Sequence, residues 1–239
     1  MCGVRGAEEE VVNGYDNLKV VFKLETPVCL TYPFLFFDGI LAHLANRRDN
    51  PNYRFLPSKK VVREAAEIPI PVEKLERNGI WVYRASVAEF DFKEPSTAVI
   101  YKKFCERYLD YKQLKVKKID RGRGFFKDFS IKLMYFPAKT ATFYVRGIKE
   151  EIEELLEGSP GLGKKTAIGY GFVSSFSVKT VKHDYSLVKD GKAMRPIPLE
   201  FVASAERIVQ LAYKPPYWAK ENVKPCACPF SGVELDVRV

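Results

Sequence analysis

An α+β fold is predicted, with the element order β-α-β-β-α-β of a ferredoxin-like or RRM-like core. Three observations carry it. Leu18, Val20, Phe22 and Leu24 alternate with Lys19, Val21 and Lys23, the period of a half-buried strand. Ile148, Ile152, Leu155 and Leu156 recur at helical spacing, with Glu150, Glu151, Glu153 and Glu154 on the opposite face. Between that helix and the next strand pattern lies Gly161–Gly171, where four glycines and two lysines fall within eleven residues.

The elements follow in order. The strand Leu18–Leu24 is broken by Pro27 and Pro33. Asp38 is placed to cap a helix through Ile40, Leu41, Leu44 and Ala45, which ends where Arg47-Arg48-Asp49-Asn50 runs into Pro51. Residues 51–118 read as an insertion or a long hairpin: Ile68–Pro71 must be extended, Ile80–Val87 reads as a strand, and Tyr101–Tyr108 suits helix and strand equally. Ile131, Leu133 and Tyr135 alternate with Lys132, Met134 and Phe136, Pro137-Ala-Lys139 turns the chain, and Thr142–Arg146 is the expected hairpin partner. The acidic amphipathic helix and the glycine loop come next. Phe172–Lys182 is the last core strand, with Phe172, Ser174, Phe176 and Val178 on one side. The core is thus expected over residues 15–182 and a C-terminal extension packed on it over 183–239. The extension carries Arg195-Pro-Ile-Pro198, an expected helix from Ala203 to Leu211, and Lys214-Pro-Pro-Tyr-Trp218.

With 239 residues and 46% hydrophobic content, the chain suffices for one large domain or one domain with an elaboration. Lys and Arg number 39 against 30 Asp and Glu, a formal charge of +9 that favours nucleic acid first and an anionic membrane surface second. No apolar run reaches the eighteen residues of a membrane span. Glu8, Glu9 and Glu10 stand where a secretion signal would need an apolar segment, so a cytoplasmic protein is expected. Five cysteines, at 2, 29, 105, 226 and 228, do not form a disulfide framework. Cys226-Ala-Cys228 is too tight for a zinc knuckle and lacks a second ligand pair, so it reads as reduced thiols near a surface turn. No metal and no cofactor is expected.

Glycine permits positive φ and close backbone approach, and lysine adds charge at the same place. Gly161–Gly171 therefore suits a polyanion, whose phosphates supply most of the binding energy. Gly158-Ser-Pro-Gly-Leu-Gly-Lys164 imitates a nucleotide-binding P-loop, but Lys165 stands where magnesium needs Ser or Thr. The order of elements is also reversed, with a helix before the loop and a strand after it. A second glycine-rich basic segment, Asp120-Arg-Gly-Arg-Gly-Phe-Phe-Lys127, partly matches the RNP1 signature. Arg123 and Asp128 replace two of its aromatics. As a flexible basic loop the segment offers Arg121, Arg123 and Lys127 to phosphates and Phe125 or Phe126 for stacking; as a solvated turn it sends those aromatics into the core.

A glycine-rich loop between the last helix and last strand of such a core resembles the RAMP superfamily of CRISPR-associated RNA-binding proteins. Leu24-Glu-Thr-Pro27, Phe37-Asp-Gly-Ile-Leu-Ala42, Gly122-x-Gly124-x-Phe126-Lys127, Gly163-Lys-Lys-x-x-x-Gly-Tyr-Gly171 and Pro216-Tyr-Trp218 resemble, more narrowly, the type IV effector subunit that is the counterpart of the fifth Cas family. The resemblance implies a non-catalytic subunit that holds the 5′ tag of the guide RNA and contacts the large subunit and the backbone subunit. Carried over, the phosphate-facing positions are Gly161, Gly163, Lys164, Lys165, Gly169 and Gly171, with Arg121, Arg123 and Lys127 second. Relatives also wedge the RNA with a protruding hairpin, which residues 51–118 are placed to supply.

Some relatives cleave repeat RNA without metal, often through histidine. Here only His43 and His183 exist. A cleaving enzyme would use His43 as base and Arg47 or a loop lysine as phosphate stabiliser. The other reading makes His43 a partly buried helix histidine and places His183 in a solvated turn. Tyr217 and Trp218 suit base stacking and docking of the extension equally. A binder is the expected outcome, with a metal-independent repeat endoribonuclease and an RRM-like regulator outside CRISPR as the competing readings.

Overall fold

The computed structural model describes residues 14–30, 33–50, 68–92, 94–105, 107, 119–124, 126–159 and 161–236. In chain order these form β1 (Asp16–Leu24), β2 (Val28–Leu30), α1 (Phe37–Asp49), β3 (Lys74–Arg77), β4 (Ile80–Tyr83), β5 (Glu89–Phe90), β6 (Ser96–Lys102), β7 (Phe129–Phe136), β8 (Thr140–Gly147), α2 (Lys149–Glu157) and β9 (Val173–Thr180). The extension adds β10 (Val188–Lys189), β11 (Lys192–Ala193), β12 (Ile197–Pro198), β13 (Val202–Ala205), β14 (Ile208–Ala212), β15 (Val223–Ala227) and β16 (Val233–Leu235). Among the described residues the fold is mixed, with many strands and two α-helices.

The main sheet has the order β5-β8-β1-β9, with antiparallel neighbours throughout. Its apolar face follows from the alternation in β1. Val20 lies opposite Phe143 and Val178, and Phe22 opposite Ala141 and Phe176. α1 covers this face with Phe37, Leu41, Leu44 and Ala45, and α2 with Ile152, Leu155 and Leu156. Each large apolar side chain buried there contributes roughly 1.5–3 kcal/mol. Asp38 is not the cap of α1. The cap position is Phe36, and Asp38 lies buried in the first turn.

Two sequence expectations are overturned. Phe129–Phe136 is a strand, but it does not pair with Thr142–Arg146. It pairs with β6 from Ser96↔Tyr135 to Lys102↔Phe129, and with β2 through Cys29↔Tyr135. The reason lies in the edges of β8. One edge belongs to β1; the other is occupied by residues 84–90, through Ser86 N–H to Tyr144 O (2.8 Å), Arg146 N–H to Arg84 O (2.9 Å) and the pair Phe90↔Ala141. Residues 84–90, inside the stretch read as an insertion, thus supply the outer strand of the main sheet. The expected helix Ala203–Leu211 is instead β13 and β14, paired with β16 and β15. Val202, Ile208 and Val209 are β-branched, and partner strands satisfy their backbone better than an isolated helix would. Of Tyr101–Tyr108, the first two residues continue β6; Arg107 is in no α-helix or strand, and 106 and 108 lie outside the described residues. Phe125 also lies outside them.

The extension has its own small core. Leu187, Ala193, Ile197, Phe201, Tyr213, Cys226 and Ala227 pack with Val82 of β4. One fully buried cation joins this core to the main one. The Arg195 guanidinium donates to the carbonyls of Tyr83, Ala85 (3.0 Å) and Tyr213 (2.5 Å), and to Asp38 Oδ2 (3.2 Å). Tyr217 donates its hydroxyl to Asp38 at 2.6 Å and accepts from Arg195 at 3.2 Å. Its ring stacks on Phe36, with centroids 3.7 Å apart. Burial, then the Asp38 carboxylate, raises the Tyr217 pKa well above its ordinary value, so the phenol stays a donor.

Removing one partner of a buried ion pair costs about 3–5 kcal/mol, because the other charge is stranded. Asp38→Ala is expected to lose that much stability in urea denaturation. Tyr217→Phe removes a hydrogen-bonding hydroxyl and keeps the stacked ring, so about 1–2 kcal/mol is expected. Equal stability of Asp38→Ala and the parent would contradict the role given to Arg195.

Candidate nucleic-acid interface

The loop between α2 and β9 is built in two layers. Its base is clamped. Leu162 N–H donates to Gly171 O (2.8 Å), Lys164 N–H to Cys29 O (2.8 Å) and Gly171 N–H to Pro27 O (2.8 Å). Leu162 is fully buried in the main core and acts as a plug. The close approach explains the glycines. A Cβ on Gly171 would fall 1.8 Å from Leu162 O, and one on Gly163 would fall 2.6 Å from Cys29 O. Gly169 differs, since its φ is +94° but the space around it is open. The tip is exposed. Lys164 and Lys165 point out of the clamp, Lys165 itself in the left-handed region at φ 64°, and Thr166–Ile168 make one 3₁₀ turn. Residues 161–171 contain no carboxylate.

The six loop positions named from the sequence are therefore brought together. Gly161, Gly163 and Gly171 shape the base, Gly169 turns the tip, and Lys164 and Lys165 supply its charge. The lysines also register electrostatically at Cys29: burial raises that thiol's pKa, and Lys165 and then Lys164 oppose the rise. Ile168 and Phe172, each 56% exposed, flank the cationic tip, and Tyr170 contacts Tyr135 of β7 with centroids 6.2 Å apart.

The second basic segment sits elsewhere. It leads into β7 at Phe129, while the glycine loop meets β7 near Tyr135, about 20 Å along the strand at 3.3–3.4 Å per residue. Its charges are partly neutralised. Arg121 pairs with Asp128 (2.5 Å) and Arg123 with Asp120 (2.6 Å), whereas Lys127 is exposed. Phe126 packs on Phe104 at 4.6 Å. β6 and β7 carry this segment away from the core, and exposure reaches 70% at Tyr101.

His43 and Arg47 lie on α1. Desolvation of the imidazole, then the Arg47 guanidinium, lowers the His43 pKa, although the residue as a whole is exposed. The last turn of α1 brings Arg48 into the field of Glu154 and Glu151 on α2. His183 is exposed and contacts Tyr185 at 6.1 Å. Cys226 and Cys228 are free thiols just before a turn at residues 229–230, but Cys226 is itself buried in the extension's core, and burial pushes its pKa up to about 12. Tyr217 docks the extension and Trp218, 60% exposed, faces solvent. Sequence reasoning missed the Leu162 plug, whose signal is a lone large aliphatic residue between two glycines. It also missed Arg195, which carries no pattern at all.

The clamp predicts unequal costs. Gly171→Ala combines left-handed strain with a backbone collision and is expected to cost about 2–5 kcal/mol. Gly169→Ala carries the strain alone, about 1 kcal/mol. Thermal denaturation of the two variants ranks them, and the reverse order would refute the clamp.

Comparison with known proteins gives one family assignment. No curated protein matches the chain. Among solved structures, a chain of the cryo-EM structure of the Type III-B Cmr-beta bound to cognate target RNA aligns at 12% identity and a TM-score of 0.35. The alignment covers 70% of this chain and 61% of that one, so this chain spans less than two thirds of that relative's length. No helix among the described residues is long and apolar enough to cross a membrane. The family model described as "CRISPR type IV associated protein Csf3" matches residues 16–229. With nearly the whole length matched, the chain belongs to this type IV CRISPR-associated family.

Proposed function

We propose that this protein is a non-catalytic guide-RNA-binding subunit of a type IV CRISPR effector ribonucleoprotein. It holds the 5′ tag of the guide and contacts the large and backbone subunits. The observation that carries the reading is the clamped loop with Lys164 and Lys165 exposed at its tip. A rigid base reduces the entropy lost on binding, and the tip offers charge with no neighbouring carboxylate in the loop. The antiparallel order β5-β8-β1-β9, with α1 linking β1 to β5 and α2 linking β8 to β9, supports a ferredoxin-like core in which β5 is a shortened second strand. The β6–β7 hairpin, with its exposed distal half, supports a wedge against the RNA.

With about four or five phosphates neutralised, the log–log salt slope for a single-stranded guide is expected near −3. Lys164→Glu with Lys165→Glu should weaken binding and leave the melting temperature unchanged. Parent-like affinity in that double variant would refute the loop assignment.

The lowered His43 pKa favours a neutral imidazole and so gives the endoribonuclease reading one specific support. Repeat RNA incubated with the protein in EDTA is expected to stay intact. Site-specific cleavage that disappears in His43→Ala would establish the enzyme instead.

A further inference from the structure

The main sheet has a second face, turned away from α1 and α2. It carries Lys19, Val21 and Lys23 of β1, Ser175, Ser177 and Lys179 of β9, and Thr140, Thr142 and Tyr144 of β8. Half of it is closed. Tyr144 is buried against Tyr185, at a centroid distance of 5.4 Å, and beneath Lys189 Nζ at 4.8 Å, which Glu89 holds at 2.7 Å. The β1–β9 half is open, and Lys23, Ser175, Ser177 and Lys179 are exposed there.

This strip has a charge arrangement that folding does not need. Lys19 lies directly opposite Lys179 in the antiparallel register. Directly opposed residues have Cα atoms about 4.5–5.5 Å apart, and like charges in such a pair are destabilising. No ion pair among the described residues holds Lys19, Lys23 or Lys179. Lys23 follows on the same face about 14 Å from Lys19, and Ser175 and Ser177 add hydroxyl donors between the cations. At the Lys23 end the strip meets the glycine loop: Glu25 N–H donates to Phe172 O at 3.0 Å, and Phe172 N–H to Thr26 Oγ1 at 2.8 Å. Glu25 lies just past Lys23 at that junction.

We propose that this strip is a second phosphodiester track for single-stranded RNA, continuous with the glycine loop. One phosphate bridges Lys19 and Lys179 and relieves their repulsion, and another sits at Lys23. The inference rests on the reading of Gly161–Gly171 as an RNA-binding loop. The open strip carries no aromatic side chain, so it grips the backbone and reads no base. An acidic protein segment offers the same charge. RNA is favoured because the strip runs into the loop that grips it, and extended strands match an extended polyanion.

The test uses the full-length protein, a fluorescent oligouridylate and a salt series. Lys19→Thr and Lys179→Thr are made singly and together, Lys23→Thr separately, and Gln variants cover any Thr variant that fails to fold. Each member of the opposed pair should raise the melting temperature of the free protein by about 1–2 °C when removed. The Lys19/Lys179 double variant should lower the salt slope by about 0.7, the share of one phosphate, and Lys23→Thr by a further 0.7 or so. A double variant that is stabilised but keeps the parent affinity and slope overturns the proposal. So does polyglutamate binding as tight as RNA binding and weakened by the same variants. The Lys164→Glu/Lys165→Glu protein runs in parallel. If it binds as the parent does while the strip variants weaken, the loop reading fails and the strip stands. If it alone weakens, the strip fails and the loop stands.

Discussion

The Arg195 guanidinium is the constraint on which the two halves of the molecule depend. It is fully buried, and desolvating a cation is expensive unless its donors are answered; both Nη nitrogens are, whereas Nε has no hydrogen-bond partner among the described residues. Here the answer comes from three separate parts of the chain. Asp38 comes from the first turn of α1, the carbonyls of Tyr83 and Ala85 from the stretch that edges β8, and the Tyr213 carbonyl and Tyr217 hydroxyl from the extension. A geometry that satisfies all of these at once is nearly unique, so the network fixes register more than it adds stability. Gly39 belongs to the same arrangement, because a Cβ there would press to 3.3 Å from the Tyr217 ring. The short motifs around Asp38-Gly39 and Tyr217 thus meet in space as scaffold.

The glycine loop inherits its precision from that scaffold. α1 follows β2, β2 offers the Cys29 carbonyl to Lys164, and the Pro27 carbonyl receives Gly171. The loop is therefore held by backbone at its base, with Leu162 sunk into the core. Side-chain charge is kept for the tip. This division lets glycine serve two purposes. At 163 and 171 it removes a Cβ that would collide with backbone, and at 169 it only permits the turn.

Periodicity made β1, α1, α2 and β9 legible, because each has a face whose apolar residues repeat at 2 or 3.6 positions, and local composition made the glycine loop legible. Pairing was not legible. β7 alternates as an ordinary strand, and nothing in its residues says that β8's outer edge is already filled by residues 84–90. β5 is two residues long, too short for any period to appear. Val202–Ala212 mixes apolar and polar residues in a way that suits helix and strand alike; partner strands decided it. Arg195 carries no sequence signal of its role, since burial of an arginine depends on partners up to 157 residues away. The site residues divide in the same way. Lys164 and Lys165 were readable from local composition, whereas the Leu162 plug and the Lys19–Lys179 opposition require knowing what lies across the gap.

The formal charge of +9 is not spread evenly, and its distribution decides where a polyanion can approach. Arg121 and Arg123 are paired with Asp128 and Asp120, so the RNP1-like segment offers less charge than its arginines suggest. Arg84 and Arg146 are joined to Glu73 and Asp184, and Arg195 is buried. The helical side presents Glu150, Glu151 and Glu154 to solvent. What remains beside the loop is Lys164, Lys165, Lys19, Lys23 and Lys179; of these, Lys19, Lys23 and Lys179 lie on the sheet face turned away from the acidic helix. In physiological salt the Debye length in the surrounding solvent is about 8 Å, so exposed charges on opposite sides of the sheet-and-helix layer are largely screened from one another along the path around it. The charge distribution therefore favours approach of a polyanion to the face carrying Lys19, Lys23 and Lys179 over the side carrying the acidic helix.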